Sequence, residues 1–271
     1  MKNRIDMMQK ALLWSIRSPH NDLESFLFGS MHVKSPVAFQ NVSLLQQKID
    51  VCTAFAAEMH LDEANKNIDL ALAFRAVKGG GLKDVLGTKK YEKAKKILQK
   101  SLHLNIDAFQ QLRPLFLSSL IDEQMMPKGT APLALDHFLW EHAKSKGKHL
   151  YGLETFNDQI EVLQSITPQE EKKALLNGIK NITQHRKSIQ KMMSLYEQQD
   201  ITKLYKATKN SLGHWRYKML IRRNHNMAKA FSDLSEGQHL FAAVGAAHLA
   251  GKSGMLRLLK LKGFKVIPIN T

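Results

Sequence analysis

Two histidines, one near each end of the chain, follow an apolar run and a glycine at the same spacing. The first segment reads Leu27-Phe28-Gly29-Ser30-Met31-His32, and the second reads Ala243-Val244-Gly245-Ala246-Ala247-His248. Such a run predicts a buried strand, and the glycine permits a tight turn at its end. A histidine placed there lies at the carboxyl edge of the strand, where open α/β sheets bind ligands. We therefore predict one site closed by both ends of the chain.

Two glutamates follow predicted strands in a similar way. Glu58 comes after the apolar run 51–57, and Glu154 comes after the run 149–153. Two imidazoles and two carboxylates suit a divalent metal such as zinc, manganese or cobalt. A metal there would acidify a bound water and polarise a carbonyl group, which is hydrolytic chemistry. Without a metal, the same residues could act as general acid and general base.

Each of these residues also has a purely structural interpretation. A histidine at a strand edge is more often a hydrogen-bonded structural residue than a ligand, and a glutamate there is more often a helix cap or a surface charge. Four such residues, each following a separate apolar run, favour a functional site over four unrelated structural roles.

The predicted elements place strands at both ends of the chain and helices between them. Alternating and apolar runs predict strands, whereas apolar residues recurring at three and four positions predict helices. The fold class is therefore α/β, with a central mixed sheet formed by strands from both chain ends and a large helical insertion. We predict one domain over residues 1–271, in which a helical insertion (about 65–146) and a helical segment (about 156–235) pack on a sheet from 12–58, 149–154 and 238–269.

Composition restricts the classes of partner. The net charge is +16, but the lysines are spread along helical segments and the glycine–aromatic patterns of RNA-binding modules are missing, which disfavours nucleic acid. The single cysteine, Cys52, rules out an intramolecular disulfide. No apolar run approaches the ~20 residues of a transmembrane helix. The polar N-terminus predicts a cytoplasmic protein, or a periplasmic or exported one if a signal peptide has been removed.

Five sequence blocks resemble the TraB/GumN family, in that family's order and over essentially the whole chain. The family is related to TIKI-type metalloproteases and to ChaN-like and erythromycin-esterase-like proteins. The blocks are Leu27-Phe28-Gly29-Ser30-Met31-His32-Val33, Ala57-Glu58-Met59, Tyr151-Gly152-Leu153-Glu154-Thr155, Arg223-Asn224 and Val244-Gly245-Ala246-Ala247-His248-Leu249-Ala250-Gly251.

The resemblance implies a metal-dependent, peptidase-like hydrolase that acts on a peptide or on a small amide or ester. It implies that His32 and His248 are metal-binding or catalytic, and that Glu58 and Glu154 are ligands or general bases. Arg223 and Asn224 would steady a substrate carbonyl or carboxylate; their structural alternative is a surface arginine and a helix-capping asparagine. The alternative function is a non-catalytic protein of the same family that binds a peptide or haem.

Overall fold

The computed structural model describes residues 10–21, 23–66 and 81–270, with no side-chain description for residues 64–66. The N-terminal residues on which the prediction of compartment depends lie outside this range. Residues 67–80, at the start of the predicted helical insertion, also lie outside it. Among the described residues, no helix is long and apolar enough to cross a membrane.

The described chain has three strands near its start, one near its middle and two near its end, with helices between them. The strands are β1 (Leu13–Arg17), β2 (Glu24–Ser30), β3 (Ala54–Met59), β4 (His149–Glu154), β5 (Leu240–Gly245) and β6 (Lys265–Ile269). The helices are α1 (Val42–Asp50), α2 (Leu61–Lys66), α3 (Leu82–Leu86), α4 (Thr88–Leu102), α5 (Pro114–Met125), α6 (Leu135–Ser145), α7 (Phe156–Gln164), α8 (Pro168–Lys180), α9 (Ile182–Glu197), α10 (Ile201–Leu212), α11 (Arg223–Leu234) and α12 (Met255–Leu261).

The strands form one mixed six-stranded sheet in the order β4-β3-β5-β2-β1-β6. The four strands β4, β3, β5 and β2 are parallel, whereas β1 pairs antiparallel with β2 and with β6. Strands from both chain ends therefore share the sheet, and the predicted α/β fold class is confirmed. Because β2 and β5 are parallel neighbours, their carboxyl ends meet at one edge.

The register of the parallel strands aligns the two Gly-x-x-His segments. Ser30 at the end of β2 is opposite Gly245 at the end of β5. On the other side of β5, Met59 of β3 is opposite Glu154 of β4. Both histidine turns and both glutamates therefore lie on the same edge of the sheet, where open parallel sheets bind ligands.

Aromatic packing fixes the middle of the sheet. Phe241 of the central strand β5 stacks on Phe55 of β3, with ring centroids 5.7 Å apart and nearly parallel planes. On the β2 side it contacts the rings of Phe26 and Phe28 at 6.4 and 6.5 Å. All four side chains are buried. These strands are apolar along most of their length because the sheet interior is covered on both faces.

The chain divides into two compact units. The first comprises Met1–Glu63, Lys128–Val162 and Met192–Thr271, and it contains the sheet and all six candidate site residues. The second comprises Ala64–Pro127 and Leu163–Lys191, and its described regular elements are helices. The second unit has its own apolar core, in which Leu98, Leu117 and Leu175 are fully or almost fully buried. The description of residues 1–271 as a single domain stays a prediction.

Three elements differ from their predicted bounds. The sequence of residues 36–48 predicts a helix, but in the structure the helix begins only at Val42, after a turn, and ends at Asp50. The strand predicted over 51–57 is β3, which begins only at Ala54, because the first residue of the apolar run, Val51, is the exposed C-cap of α1. The helical segment predicted over about 156–235 is divided into the five α-helices α7 to α11, and Pro168 begins the second of them.

Candidate functional site

Glu58 lies near the carboxyl end of β3, and both of its carboxylate oxygens are hydrogen-bonded. Oε1 accepts a hydrogen bond from the backbone N–H of Gly245 at 2.7 Å. Oε2 accepts one from Nη2 of Arg223 at 2.6 Å, a charge-assisted bond that is stronger than a neutral one. The Glu58 side chain keeps 28% of its surface exposed, so water and ligands have access to this carboxylate.

Arg223 also binds the second glutamate. Its Nε donates to Oε2 of Glu154 at 2.8 Å, and its Nη2 lies 2.7 Å from the same oxygen. Glu154, the last residue of β4, has a side chain that is only 1% exposed. A single guanidinium therefore joins the ends of β3 and β4. Its planar fork of donors is suited to binding carboxylates in this way.

Local helix geometry positions Arg223 and the residue after it. Arg223 is the first residue of α11, and a π-helical turn over Tyr217–Arg222 precedes it. Such turns change the direction in which side chains project and are frequent at functional sites. The next residue of the same helix, Asn224, is buried.

Asn224 fixes the orientation and the tautomer of His248. Its amide Nδ2 donates to the backbone carbonyl of Ser253 at 2.7 Å, which leaves Oδ1 as an acceptor. Oδ1 lies 2.6 Å from Nδ1 of His248, so that ring nitrogen must carry the hydrogen. In the neutral ring, Nε2 then has a lone pair and can act as a base or as a ligand.

The remaining ring nitrogen of His248 faces Glu58. Nε2 lies 3.6 Å from Oε1 of Glu58, too far for a direct hydrogen bond, and the His248 side chain is 7% exposed. Five candidate residues are thus connected by short contacts at the sheet edge: Glu58, Glu154, Arg223, Asn224 and His248.

Burial and charge separate the pKa values of these groups. Burial lowers the pKa of His248 to about 4, although the charge of Glu58 opposes the shift, and the ring is therefore neutral at pH 7. Burial favours the neutral form of Glu58, but the positive charges of His248 and Arg223 and the Gly245 amide hold its pKa well below the ordinary value. At pH 7, where His248 is neutral, Arg223 and the amide keep Glu58 ionised.

Glu154 is shifted in the opposite direction. Its burial raises the pKa of the carboxyl group, and Arg223 offsets this shift only in part. The two carboxylates that flank one guanidinium are therefore inequivalent: one is strongly acidic and accessible, and the other is buried and less acidic. Carboxyl groups whose environments move their pKa values apart are typical of acid–base sites.

Glycines create the space that this arrangement needs. A Cβ on Gly245 would lie 3.2 Å from Oε1 of Glu58 and 3.5 Å from Cδ2 of His248, in the region where these two side chains face each other. A Cβ on Gly29 would lie 2.6 Å from a methyl group of Leu249 and 3.0 Å from Cα of Ala246. The two glycines of the Gly-x-x-His segments therefore serve close packing of neighbouring strand ends rather than an unusual backbone angle.

His32 lies on the loop after β2, and its side chain is 68% exposed. Its Nδ1 is 3.2 Å from Oδ2 of Asp136, and its ring contacts the ring of His137 with centroids 5.4 Å apart. Both partners lie on α6. Burial and the neighbouring His32 lower the pKa of His137. The sequence pattern contained no signal for these two partners, because they do not follow a strand.

The residues as they lie do not fit a divalent metal. Catalytic zinc sites use three protein ligands, and no group of three or more His, Cys, Asp or Glu side chains within the described residues is arranged to hold an ion. Arg223 already places a fixed positive charge against both Glu58 and Glu154, so a bridging cation would be repelled. Metal dependence stays a prediction, and the chemistry below uses only the side chains.

Comparison with known proteins gives one match. The sequence model of the TraB/PrgY/gumN family matches residues 12–268, nearly the whole chain and all six candidate residues. No curated protein and no solved structure matches the chain.

Proposed function

The chain belongs to the TraB/PrgY/gumN family, and from this premise and the site geometry we propose that it is a hydrolase of a peptide or of a small amide or ester. The observation that carries the proposal is the pair formed by His248 and Glu58. A neutral imidazole with its Nε2 lone pair lies 3.6 Å from an ionised, partly exposed carboxylate. This is a base adjacent to a negative charge that stabilises its protonated form.

In the proposed reaction, Nε2 of His248 accepts a proton from water while the water oxygen forms a bond to the substrate carbonyl carbon. Glu58 stabilises the imidazolium that results, and Asn224 holds the ring by its Nδ1–H bond. The tetrahedral intermediate then collapses, and the bond to the amine or alcohol breaks. Nε2–H returns the proton to that leaving group, so the products are a carboxylic acid and an amine or alcohol.

Arg223 is proposed as a positioning residue in this reaction. Its guanidinium keeps Glu58 ionised and directs Oε2 away from the imidazole, which leaves Oε1 to face Nε2. Its second contact, to the buried Glu154, fixes the arginine itself. A guanidinium that is held on two sides loses little further entropy during the reaction.

Turnover assays on matched variants test this proposal. We expect His248→Gln and Glu58→Gln each to lower kcat by about 10²-fold or more on fluorogenic peptide amides or nitrophenyl esters, the range of general-base catalysis. His225→Gln and Glu236→Gln change exposed residues of the same types in the same unit and serve as controls. Activity that all four variants retain would refute the assignment.

The same assay separates the remaining alternatives. Chelator treatment followed by addition of zinc, manganese or cobalt tests the predicted metal dependence: restored turnover would support it, and unchanged turnover would contradict it. A protein that binds peptides or haem and hydrolyses no substrate of the panel, with or without metal, would support the ligand-binding alternative over the hydrolase.

A further inference from the structure

A cavity lies in the first unit and is lined in part by the loop that follows His248. Its volume is about 1130 Å³, above the ~300–1,000 Å³ of ordinary small-molecule sites. The buried side chains of Trp14, Leu249 and Leu256 contribute to its apolar wall. The cavity therefore has room for several residues of an extended chain and an apolar surface against which their side chains can pack.

Positive charge surrounds this cavity. Within the part of the chain that the structure describes, no aspartate or glutamate lines the cavity, and none of the basic side chains that line it is paired with a carboxylate. The six positive charges that have no counter-ion among the described residues raise the local concentration of anions. These side chains are Lys206, Lys209, Arg216, Lys252, Arg257 and Lys260.

One loop connects the cavity with the candidate catalytic residues. Residues 249–253 follow His248 directly and line the cavity. The backbone carbonyl of Ser253, at the end of this loop, accepts the hydrogen bond that fixes the amide of Asn224. A ligand in the cavity therefore contacts the same short segment that sets the orientation of His248.

We propose that this cavity binds an acidic peptide segment with interspersed apolar residues, which belongs to the substrate of the proposed hydrolase. The choice of a peptide rests on that proposed function, whereas the charge preference rests on the cavity alone. Acidic side chains meet the basic rim, and apolar side chains meet the wall of Trp14, Leu249 and Leu256. Charge complementarity of this kind contributes mainly to specificity and to association rate.

The cavity is less suited to nucleic acid. Single strands bind to exposed aromatic rings on which bases stack. Here Trp14 is buried, and the ring of Tyr205 is packed so closely against Gly251 that a Cβ on that glycine would lie 2.5 Å from it. The apolar wall is otherwise mainly aliphatic, which suits leucine-like side chains.

Binding of dansylated peptides to the His248→Gln protein, measured by fluorescence anisotropy, tests the proposal without turnover. One peptide alternates leucine with glutamate, and its matched partners alternate leucine with glutamine or with lysine. We expect the glutamate peptide to bind at least about tenfold more tightly than the glutamine peptide, with an affinity that falls as salt increases. Equal affinity for all three peptides would overturn the proposal.

Charge-matched variants locate the binding. The triple variant Lys206→Glu, Lys252→Glu, Arg257→Glu is expected to lose at least about tenfold in affinity for the glutamate peptide. The control triple Lys100→Glu, Lys146→Glu, Lys265→Glu changes exposed lysines outside the cavity by the same net charge. If both triples lose affinity equally, the effect is one of overall charge and the cavity is not the site.

Further measurements keep the result interpretable. A glutamine triple at the same three cavity positions is used if the glutamate triple fails to fold, and it should also weaken binding. Displacement of the peptide by a single-stranded oligonucleotide at lower concentration than by unlabelled peptide would favour nucleic acid and overturn the proposal. If the wild type binds the glutamate peptide but hydrolyses neither it nor any substrate of the panel, with or without metal, the cavity assignment stays intact and the hydrolase is refuted. Turnover of the peptides by the wild type, with no preference for negative charge in binding, would support the hydrolase and refute the cavity assignment.

Discussion

Replacement of Arg223 by methionine should destabilise the protein far more than the same replacement of the preceding residue, Arg222. Arg223→Met keeps most of the side-chain volume but eliminates the charge that contacts Glu58 at 2.6 Å and Glu154 at 2.7 Å. Glu154 would then be a buried carboxylate without its counter-ion. It would have to remain charged in an apolar environment or bind a proton, and both outcomes cost free energy.

The magnitude follows from burial. Breaking a buried ion pair by removing one partner costs about 3–5 kcal/mol, and Glu154 is almost fully buried. Arg222 is the matched control, because its side chain pairs with Glu161 at 3.5 Å and both partners are more than half exposed. Pairs of that kind contribute about 0–1 kcal/mol, so Arg222→Met should be close to neutral.

Urea unfolding at pH 7, followed by circular dichroism, measures the difference. We expect the free energy of unfolding to fall by about 3–5 kcal/mol in Arg223→Met and by no more than about 1 kcal/mol in Arg222→Met. The double variant Arg223→Met, Glu154→Gln should recover part of the loss, because the unpaired charge is then absent. Equal, small effects of the two single variants would refute the electrostatic account of the sheet edge.

Three further predictions concern the same unit. Gly245→Ala should lower kcat about tenfold or more, because the added Cβ enters the space between Glu58 and His248. Gly237→Ala is the control, since a Cβ at Gly237 would meet open space, and it should leave steady-state turnover unchanged. His248 has a pKa of about 4 in the folded state and an ordinary one near 6.5 in the unfolded chain, so between these pH values only the unfolded chain binds the proton. The free energy of unfolding should therefore fall by up to about 3 kcal/mol as the pH is lowered from 6.5 to 4. Urea titrations of His248→Gln should lack this pH-dependent loss. Burial raises the pKa of Cys52 to about 12, so native protein should react with a thiol reagent only on unfolding, and rapid native labelling would contradict its buried position.

The strand ends of the site were predictable from the sequence because their signals are local. The apolar runs that end at Gly29 and Gly245 indicated two buried strands, and the sheet places them side by side with Ser30 opposite Gly245. The positions of Glu58 and Glu154 after such runs were sufficient to place them on the same edge of the sheet.

The remaining contacts depend on tertiary structure. Arg223 binds both carboxylates because α11 begins close to the ends of β3 and β4. Hydrophobic periodicity in the sequence gives no information about that placement. The role of the Ser253 carbonyl is a backbone contact and carries no residue signature. The strand containing Glu58 was predicted too early because one apolar run serves the end of α1 and then β3.

Nitrogen-15 NMR of the histidine rings tests the central claim most directly, since it needs no substrate. We predict that at pH 7 the ring of His248 is neutral, with hydrogen on Nδ1 and none on Nε2, and that it titrates well below pH 6.5. Asn224→Leu should remove the preference for this tautomer. Hydrogen on Nε2 at pH 7, or titration at or above pH 6.5, would contradict the assignment of His248 as a base adjacent to Glu58.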